Sequence, residues 1–152
     1  MTELPPLMRD QRRADADHLR LLAIFHFLGA GLALLGLGFL GLHYLFFHAF
    51  LANPDMWKNQ RGAVPPPKEF FVIFRWFYVA FGIWLVASCV VNVLSGIFIG
   101  RRKNRIFSMI VAAMNCIHVP FGTVLGVFTL IVLLRPSVRE VYEAQATTGP
   151  GA

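Results

Sequence analysis

The sequence predicts an all-α protein, a polytopic bundle of transmembrane helices. Three long apolar runs predict it, because an uncharged stretch of more than about 18 residues is typical of a membrane-embedded helix. The third of these runs, Ile106–Leu134, holds 29 residues without an Asp, Glu, Lys or Arg. Hydrophobic residues make up 57% of the chain and charged residues 14%, against roughly 25% charged residues in a soluble domain. This composition leaves too little polar surface to cover a water-soluble globule.

Residues 1–20 form a polar segment before the first apolar run. Arginines and acidic residues are mixed there, whereas a secretory signal peptide has a purely basic start and a small-residue cleavage site. We therefore expect the segment to be retained on the cytoplasmic side. Residues 10–20 are expected to form a short helix on the membrane surface.

Leu21–Leu51 is predicted to be the first membrane helix, since its 31 residues contain no charge and no proline. Such a helix reaches about 46 Å against about 30 Å of hydrocarbon, so it must tilt or project from the bilayer. Small residues, which allow membrane helices to approach closely, lie on two opposite faces, and this predicts neighbours on two sides. One face has Gly31 and Gly38; the other has Gly29, Ala33 and Gly36, together with His26 and His43.

The second membrane helix is predicted over Phe70–Gly100, after an external loop of residues 52–69 that begins with a helix stop at Asn53. Arg75 interrupts the apolar run near one end, where a long side chain can reach the headgroups. Small and polar residues recur along one side of this helix. An ion or proton path would need an ionisable group along that side, so we interpret it as a packing stripe. The stripe is formed by Ser88, Asn92 and Gly96, with Ser95 nearby.

A basic cluster follows the second helix and sets the predicted topology. Four of the five residues from 101 to 105 are basic, and such clusters mark the cytoplasmic side of a membrane protein. The N-terminus is then cytoplasmic as well, because the first two helices are antiparallel. The topology residues are Arg101, Arg102, Lys103 and Arg105.

Pro120 divides the third apolar run and leaves two arrangements open. A helical hairpin turning at residues 119–122 gives four crossings, with ten basic residues inside and four outside. A single helix kinked at Pro120 gives three crossings and a less asymmetric distribution. The bias of basic residues towards the cytoplasm favours the hairpin, although each arm reaches only about 21 Å.

The two arms carry matched small and polar residues, which also favours the hairpin. The membrane bundle is then predicted over residues 21–134 and a cytoplasmic C-terminal segment over 135–152. Pro136 is expected to end the last membrane helix, and Ser137 to cap a short helix that ends at Glu143. The matched residues are Ser108, Ala112 and Asn115 on one arm, and Gly122, Gly126 and Thr129 on the other.

Two segments of the sequence carry a resemblance to known proteins. His18–His26, read as HLRLLAIFH, resembles the opening of a group of small, uncharacterised bacterial multi-pass membrane proteins. Residues 115–138, with NC, PFGTVLGVFT and VLLRPSV, resemble the C-terminal signature of the same group. The connection between the first two helices is longer here than in that group. The resemblance implies a multi-pass bacterial membrane protein and supplies no mechanism.

The histidines are the residues that best suit a cofactor. Two membrane histidines at equal depth on facing helices can ligate haem iron, and the hairpin would bring His43 and His118 towards the same surface. The same histidines, with Trp76 and the many Phe side chains, also suit a quinone pocket. Interfacial or hydrogen-bonded histidines are the favoured interpretation of this pattern, so the main expectation is a protein without a cofactor.

Most other chemistry is disfavoured. The serines in the membrane have no carboxylate to orient a histidine, and there is no phosphate-binding loop. Cys89 and Cys116 are separate residues inside apolar runs, which is neither a metal motif nor a disulfide framework. The net charge of +6 comes from short segments between apolar runs, so it indicates lipid headgroup contacts rather than nucleic acid.

We therefore expect a bacterial inner-membrane protein that is not an enzyme. The favoured role is a structural or accessory subunit that packs, through its small-residue faces, against itself or other membrane subunits. The first alternative is a small haem- or quinone-binding subunit of a redox complex. The weaker alternative is a homo-oligomeric channel or exporter.

Overall fold

The chain is helical in the computed structural model, which describes residues 6–51, 53–58, 66–118 and 120–147. No strand occurs in these ranges, so the prediction of an all-α protein is confirmed there. Some predictions lie outside the described residues. They concern residues 1–5, 52, 59–65, 119 and 148–152, which include much of the external loop and one residue of the Pro120 turn. The helices are α1 (Pro6–Leu51), α2 (Pro54–Lys58), α3 (Lys68–Gly100), α4 (Arg105–Asn115), α5 (Phe121–Leu134) and α6 (Pro136–Thr147).

Helix α1 is longer than the apolar run predicts. Its 46 residues correspond to about 69 Å, and it begins at Pro6, a residue that suits the first turn because its missing N–H has no partner there anyway. The expected surface helix over residues 10–20 is thus continuous with the first membrane helix. After α1 ends, the side chain of Asn53 accepts a hydrogen bond from the N–H of Asp55 at 3.0 Å, which caps the short helix α2.

Helix α3 ends in a tight turn that leads into α4. The N–H of Lys103 donates to the carbonyl of Phe98 at 2.8 Å, and the N–H of Arg102 donates to the carbonyl of Ile99 at 3.1 Å. This pair of bonds is the Schellman arrangement that closes many helices. It requires left-handed backbone after the helix, and Arg102 adopts it with φ of 52°.

Helices α4 and α5 form an antiparallel pair, with the chain reversing around Pro120. Gly122 of α5 lies against the carbonyl of Asn115, and Gly126 lies against the carbonyl of Ala112. The helices therefore follow the hairpin arrangement, and the single kinked helix is not observed. Pro120 favours a break in the helix at this point, because proline has no N–H to donate to the preceding turn of a continuous helix.

Within the described residues, two helices are long and apolar enough to cross a membrane, α3 and the part of α1 from Asp10 to Leu51. Helices α5 and α6 are bent by 72° at Arg135 and make a third span if they count as one. Helix α4 has 11 residues and reaches about 17 Å, well short of the hydrocarbon thickness. The helices support a membrane protein, and the prediction of four crossings stays a prediction.

The chain divides into two compact units. The terminal unit consists of Met1–Ala30 and Val90–Ala152, and the central unit consists of Gly31–Cys89. The terminal unit has a buried apolar core, centred on Leu22, Ile99, Leu133 and Val138, which are fully buried. In the central unit, among the described residues, Tyr78 alone is buried.

Candidate functional site

A reciprocal amide pair joins α3 to α4 in the terminal unit. The side-chain amide of Asn92 donates to Oδ1 of Asn115 at 3.2 Å, and that of Asn115 donates to Oδ1 of Asn92 at 2.8 Å. Both side chains are buried. Because lipid offers no replacement hydrogen bonds, a paired amide between helices favours one packing arrangement over the alternatives.

Gly96, Gly122 and Gly126 of the terminal unit lie close to the backbone of a neighbouring helix, and at Gly122 and Gly126 an added side chain would collide with it. A Cβ on Gly126 would overlap the carbonyl of Ala112 and lie 2.6 Å from Sγ of Cys116. A Cβ on Gly122 would overlap the carbonyl of Asn115, and one on Gly96 would lie 3.2 Å from the carbonyl of Ala23. The glycines therefore permit backbone contact between helices, as in other membrane bundles.

The remaining predicted packing residues lie in less crowded places. A Cβ on Gly29 would make ordinary contact with Asn92 at 3.6 Å, and one on Gly36 would contact Leu85 at 3.6 Å. Ala33 and Ser88 are half-buried. The small-residue face of α1 that contains Gly29 and Gly36 is thus occupied by neighbours within the same chain.

The opposite face of α1 is open in the central unit. A Cβ on Gly31 or Gly38 would meet nothing within 4 Å, and the neighbouring Leu35 and Leu42 are 71% and 66% exposed. We call Gly31, Leu35, Gly38 and Leu42 the open glycine face. Leu35 and Leu42 lie beside the two glycines, and a second helix can approach such a surface closely.

A buried carboxylate that the sequence analysis missed ties the start of α1 to the junction of α5 and α6. Asp15 has 4% of its side chain exposed and lies 3.1 Å from Nη1 of Arg135, whose side chain is 37% exposed. The hydroxyl of Ser137 donates to the other carboxylate oxygen at 2.5 Å. Ser137 therefore holds Asp15 instead of capping a helix, and α6 continues past Glu143 to Thr147.

This cluster is suited to holding helices together and lacks the geometry of a hydrolytic triad. In a triad the histidine lies between the carboxylate and the serine, whereas here Ser137 contacts the carboxylate directly. The ring of His18 lies near Nη1 of Arg135, at 3.4 Å. The signal in the sequence was an acidic residue among arginines, which is easily interpreted as a solvated charge.

The basic residues from 101 to 105 differ in how far they are exposed to solvent. Arg101 and Lys103 are exposed, and Arg102 is half-buried. Arg105 is also half-buried, and its Nε donates to the carbonyl of Leu133 at 2.7 Å. One of the four topology residues thus binds the end of α5.

Buried polar atoms without a partner in the described residues also occur in the terminal unit. They include Nε2 of His26 and the hydroxyls of Ser95 and Ser108. The other ring nitrogen of His26 is bonded to the carbonyl of Leu22 at 2.9 Å. His26 thus lies in a closely packed interior, and its ring is hydrogen-bonded to a residue of its own helix.

The two histidines expected as haem ligands, His43 and His118, lie in different compact units. Nδ1 of His43 shares a hydrogen bond of 2.6 Å with the hydroxyl of Tyr78, within an array of aromatic rings. His118 is exposed in the turn between α4 and α5, where its carbonyl accepts a hydrogen bond from the N–H of Gly122 at 2.7 Å. Haem and quinone binding through these histidines stay predictions.

A metal centre is not assembled within the described ranges, where no group of three His, Cys, Asp or Glu side chains could hold an ion. Cys89 and Cys116 are half-buried free thiols. The thiol of Cys116 donates to the carbonyl of Ala112 at 3.3 Å.

Comparison of the chain with protein families, with curated proteins and with solved structures found no match. The resemblance of residues 18–26 and 115–138 to small bacterial multi-pass proteins stays a prediction.

Proposed function

We propose that this chain is a structural or accessory subunit of a bacterial inner-membrane assembly, and that it binds another membrane helix through the open glycine face of α1. The other helix belongs to a second copy of the chain or to a different subunit. The activity of such a protein is the positioning of its partner.

The observation that carries the proposal is the contrast between the two small-residue faces of α1. The face with Gly29 and Gly36 meets side chains of the same protein, whereas a Cβ on Gly31 or Gly38 would meet open space. Membrane helices associate mainly through close packing, and small residues permit it. The face that is left open therefore provides the surface for an additional helix.

The proposed topology has a cytoplasmic N-terminus and four crossings. The residues 101–105 support it, because four basic residues in a short connection favour the cytoplasm. Helices α4 and α5 then form a hairpin supported by α3. A reporter that is active only in the cytoplasm, fused after Ala152, is expected to be active. If the cytoplasmic reporter is inactive and a periplasmic reporter fused at the same position is active, the four-crossing topology is contradicted.

The association is tested by recovering the full chain from native membranes in mild detergent and measuring its complexes by native mass spectrometry. The wild-type chain should be recovered as an oligomer or with another subunit. Gly38→Leu fills a notch in the open glycine face and is expected to weaken association at least tenfold, which corresponds to about 1.4 kcal/mol. Its fold should be unaffected, because nothing lies within 4 Å of that site.

Ala80→Leu is the matched control, since Ala80 is an exposed position of α3 in the same unit. It adds bulk outside the open glycine face and should leave the complexes intact. A wild-type chain that is monomeric and has no co-purifying partner would contradict the proposal. Equal association of wild type and Gly38→Leu would contradict the assignment of the face.

The redox alternative has a simple test that does not depend on association. A haem-binding chain gives a Soret band in its absorption spectrum, and Ala substitutions at His43 and His118 should remove it. Quinone is detected by extraction and chromatography. The channel or exporter alternative predicts solute flux in liposomes.

A further inference from the structure

An open cleft of about 160 Å³ lies within the central unit, between α1 and α3. Aromatic rings form most of its wall, and the rings of Phe47 and Phe74 stack with centroids 4.9 Å apart. Tyr44, His48 and Arg75 bring polar groups to the same cleft. A site of this kind, mostly apolar with a few polar groups, is typical of small-ligand binding.

Arg75 is a cation in an apolar helix and makes no ion pair within the described part of the chain. It lies seven residues after the start of α3 at Lys68, or about 10 Å along the helix axis. An unpaired arginine inside a membrane is costly, about 2.5–3.5 kcal/mol at the centre of a span. Near the end of a span, an anionic group from the bilayer surface relieves this cost.

The donors of the cleft match a phosphate. A guanidinium can give two parallel hydrogen bonds to phosphate oxygens. The Tyr44 hydroxyl makes no hydrogen bond among the described residues, so it is available as a neutral donor. The Tyr78 hydroxyl is already bonded to His43 at 2.6 Å.

The size of the cleft decides how much of a ligand enters. A cavity of about 150 Å³ takes one benzene ring, and pockets for drug-sized ligands have roughly 300–1,000 Å³. The cleft therefore admits a headgroup-sized fragment. The rest of the ligand must lie outside, along a surface where Ile73 is 67% and Trp76 is 65% exposed. A small anionic group attached to a long apolar chain satisfies both conditions.

We propose that the cleft binds a phospholipid with a net negative headgroup, with its phosphate held by Arg75 and Tyr44 and its acyl chains lying on the apolar surface of α3. A zwitterionic headgroup binds less well, because Arg75 repels its cationic part. The bound lipid neutralises Arg75 and covers the rings of Phe47 and Phe74.

The test measures lipid retained by the full-length protein. The protein is exchanged into micelles that hold phosphatidylglycerol and phosphatidylcholine in equal amounts, stripped stepwise with detergent, and examined by native mass spectrometry. Phosphatidylglycerol should be retained preferentially. Arg75→Gln should reduce that preference at least tenfold, and Tyr44→Phe should reduce it by a smaller factor.

Lys68→Gln is the matched control, because it removes the same charge from the same helix outside the cleft. It should leave the preference unchanged, and an equal loss from Lys68→Gln and Arg75→Gln would overturn the proposal. If Arg75→Gln does not fold, Arg75→Lys keeps the charge but loses the paired hydrogen bonds, and it should retain less phosphatidylglycerol than wild type. Equal retention of the two lipids by the wild type would overturn the proposal, as would displacement of the lipid by inorganic phosphate at millimolar concentration.

Discussion

The terminal and central units use the same kinds of membrane-helix residues in different ways. In the terminal unit, Gly122 and Gly126 touch backbone of α4, and an ion pair and an amide pair join distant parts of the chain. In the central unit, Gly31 and Gly38 face open space. The glycines of the α4–α5 hairpin in the terminal unit are thus used for contacts within the chain, whereas the central unit leaves one small-residue face open to lipid or to a partner.

This difference shows that a small-residue stripe has no fixed meaning by itself. A glycine stabilises a contact only when another helix lies close to it. The sequence assigns all stripes to packing, and the structure separates those used within the chain from one that is left open. Comparison of variants in the two units tests that separation.

The largest effect is expected from Arg135→Gln, which leaves Asp15 charged and buried. Loss of one partner from a buried ion pair costs about 3–5 kcal/mol, and the value should be about 3 kcal/mol here because Arg135 is partly exposed. The free energy of unfolding in mixed micelles, titrated with a denaturing detergent, measures this loss. Arg139→Gln is the control, since its pair with Glu143 is exposed on both sides and solvent screens such pairs, so they contribute little to stability. Equal effects of the two variants would contradict the role of Asp15.

The next largest effect is expected from Gly126→Ala. The added Cβ would overlap the carbonyl of Ala112, so α4 and α5 must separate, at a cost of about 2 kcal/mol. The same unfolding measurement applies. Gly38→Ala adds the same atom in open space and should not destabilise the protein, since alanine is favoured over glycine in a helix by about 0.5–1 kcal/mol. If both variants were equally stable, the contrast between the units would be wrong.

A smaller effect is expected from breaking the amide pair. Asn92→Ala leaves a buried partner amide and should cost about 1–2 kcal/mol. Because each single variant also changes packing, the pair is isolated by a double-mutant cycle with Asn115→Ala. A coupling free energy of about 1 kcal/mol is expected between membrane helices. A coupling near zero would show that the two amides act independently.

The smallest effect is expected in the central unit from Tyr78→Phe. It removes the hydroxyl that is bonded to His43 and should cost about 0.5 kcal/mol of stability. Tyr44→Phe removes a hydroxyl without a hydrogen bond in the described residues and should be neutral in lipid-free micelles. If Tyr78→Phe lowered the free energy of unfolding by more than Asn92→Ala does, the central unit would depend on polar contacts as strongly as the terminal unit.

Much of the helical architecture follows from sequence, because its signals are local. Long uncharged runs predict α1 and α3, and Pro120 predicts the break between α4 and α5. The sequence does not predict the continuity of α1 back to Pro6, because the polar residues before Leu21 indicate a separate segment. Asp15 explains the difference, because that charged residue is buried against Arg135 and need not remain in water.

The contacts between distant residues were less predictable. Asn92 and Asn115 were each identified as packing residues, yet no local pattern pairs them across 23 positions. Asp15 and Arg135 are 120 residues apart and each resembles an ordinary flanking charge. The left-handed backbone at Arg102 follows from the turn that the chain must make, and its residue type gives no hint of it, because glycine is the usual choice there.

The most direct test of the open glycine face is disulfide cross-linking in native membranes. Gly38→Cys and Gly36→Cys are introduced separately into a chain that carries Cys89→Ala and Cys116→Ser. The two positions are two residues apart on α1, but Gly36 lies against Leu85 whereas nothing lies near Gly38. We expect Gly38→Cys to form a cross-linked species of higher mass under oxidation and Gly36→Cys to remain uncross-linked. Equal cross-linking at both positions would contradict the proposed role of this face, and absence of a cross-link at Gly38 would contradict a second copy of the chain as its partner.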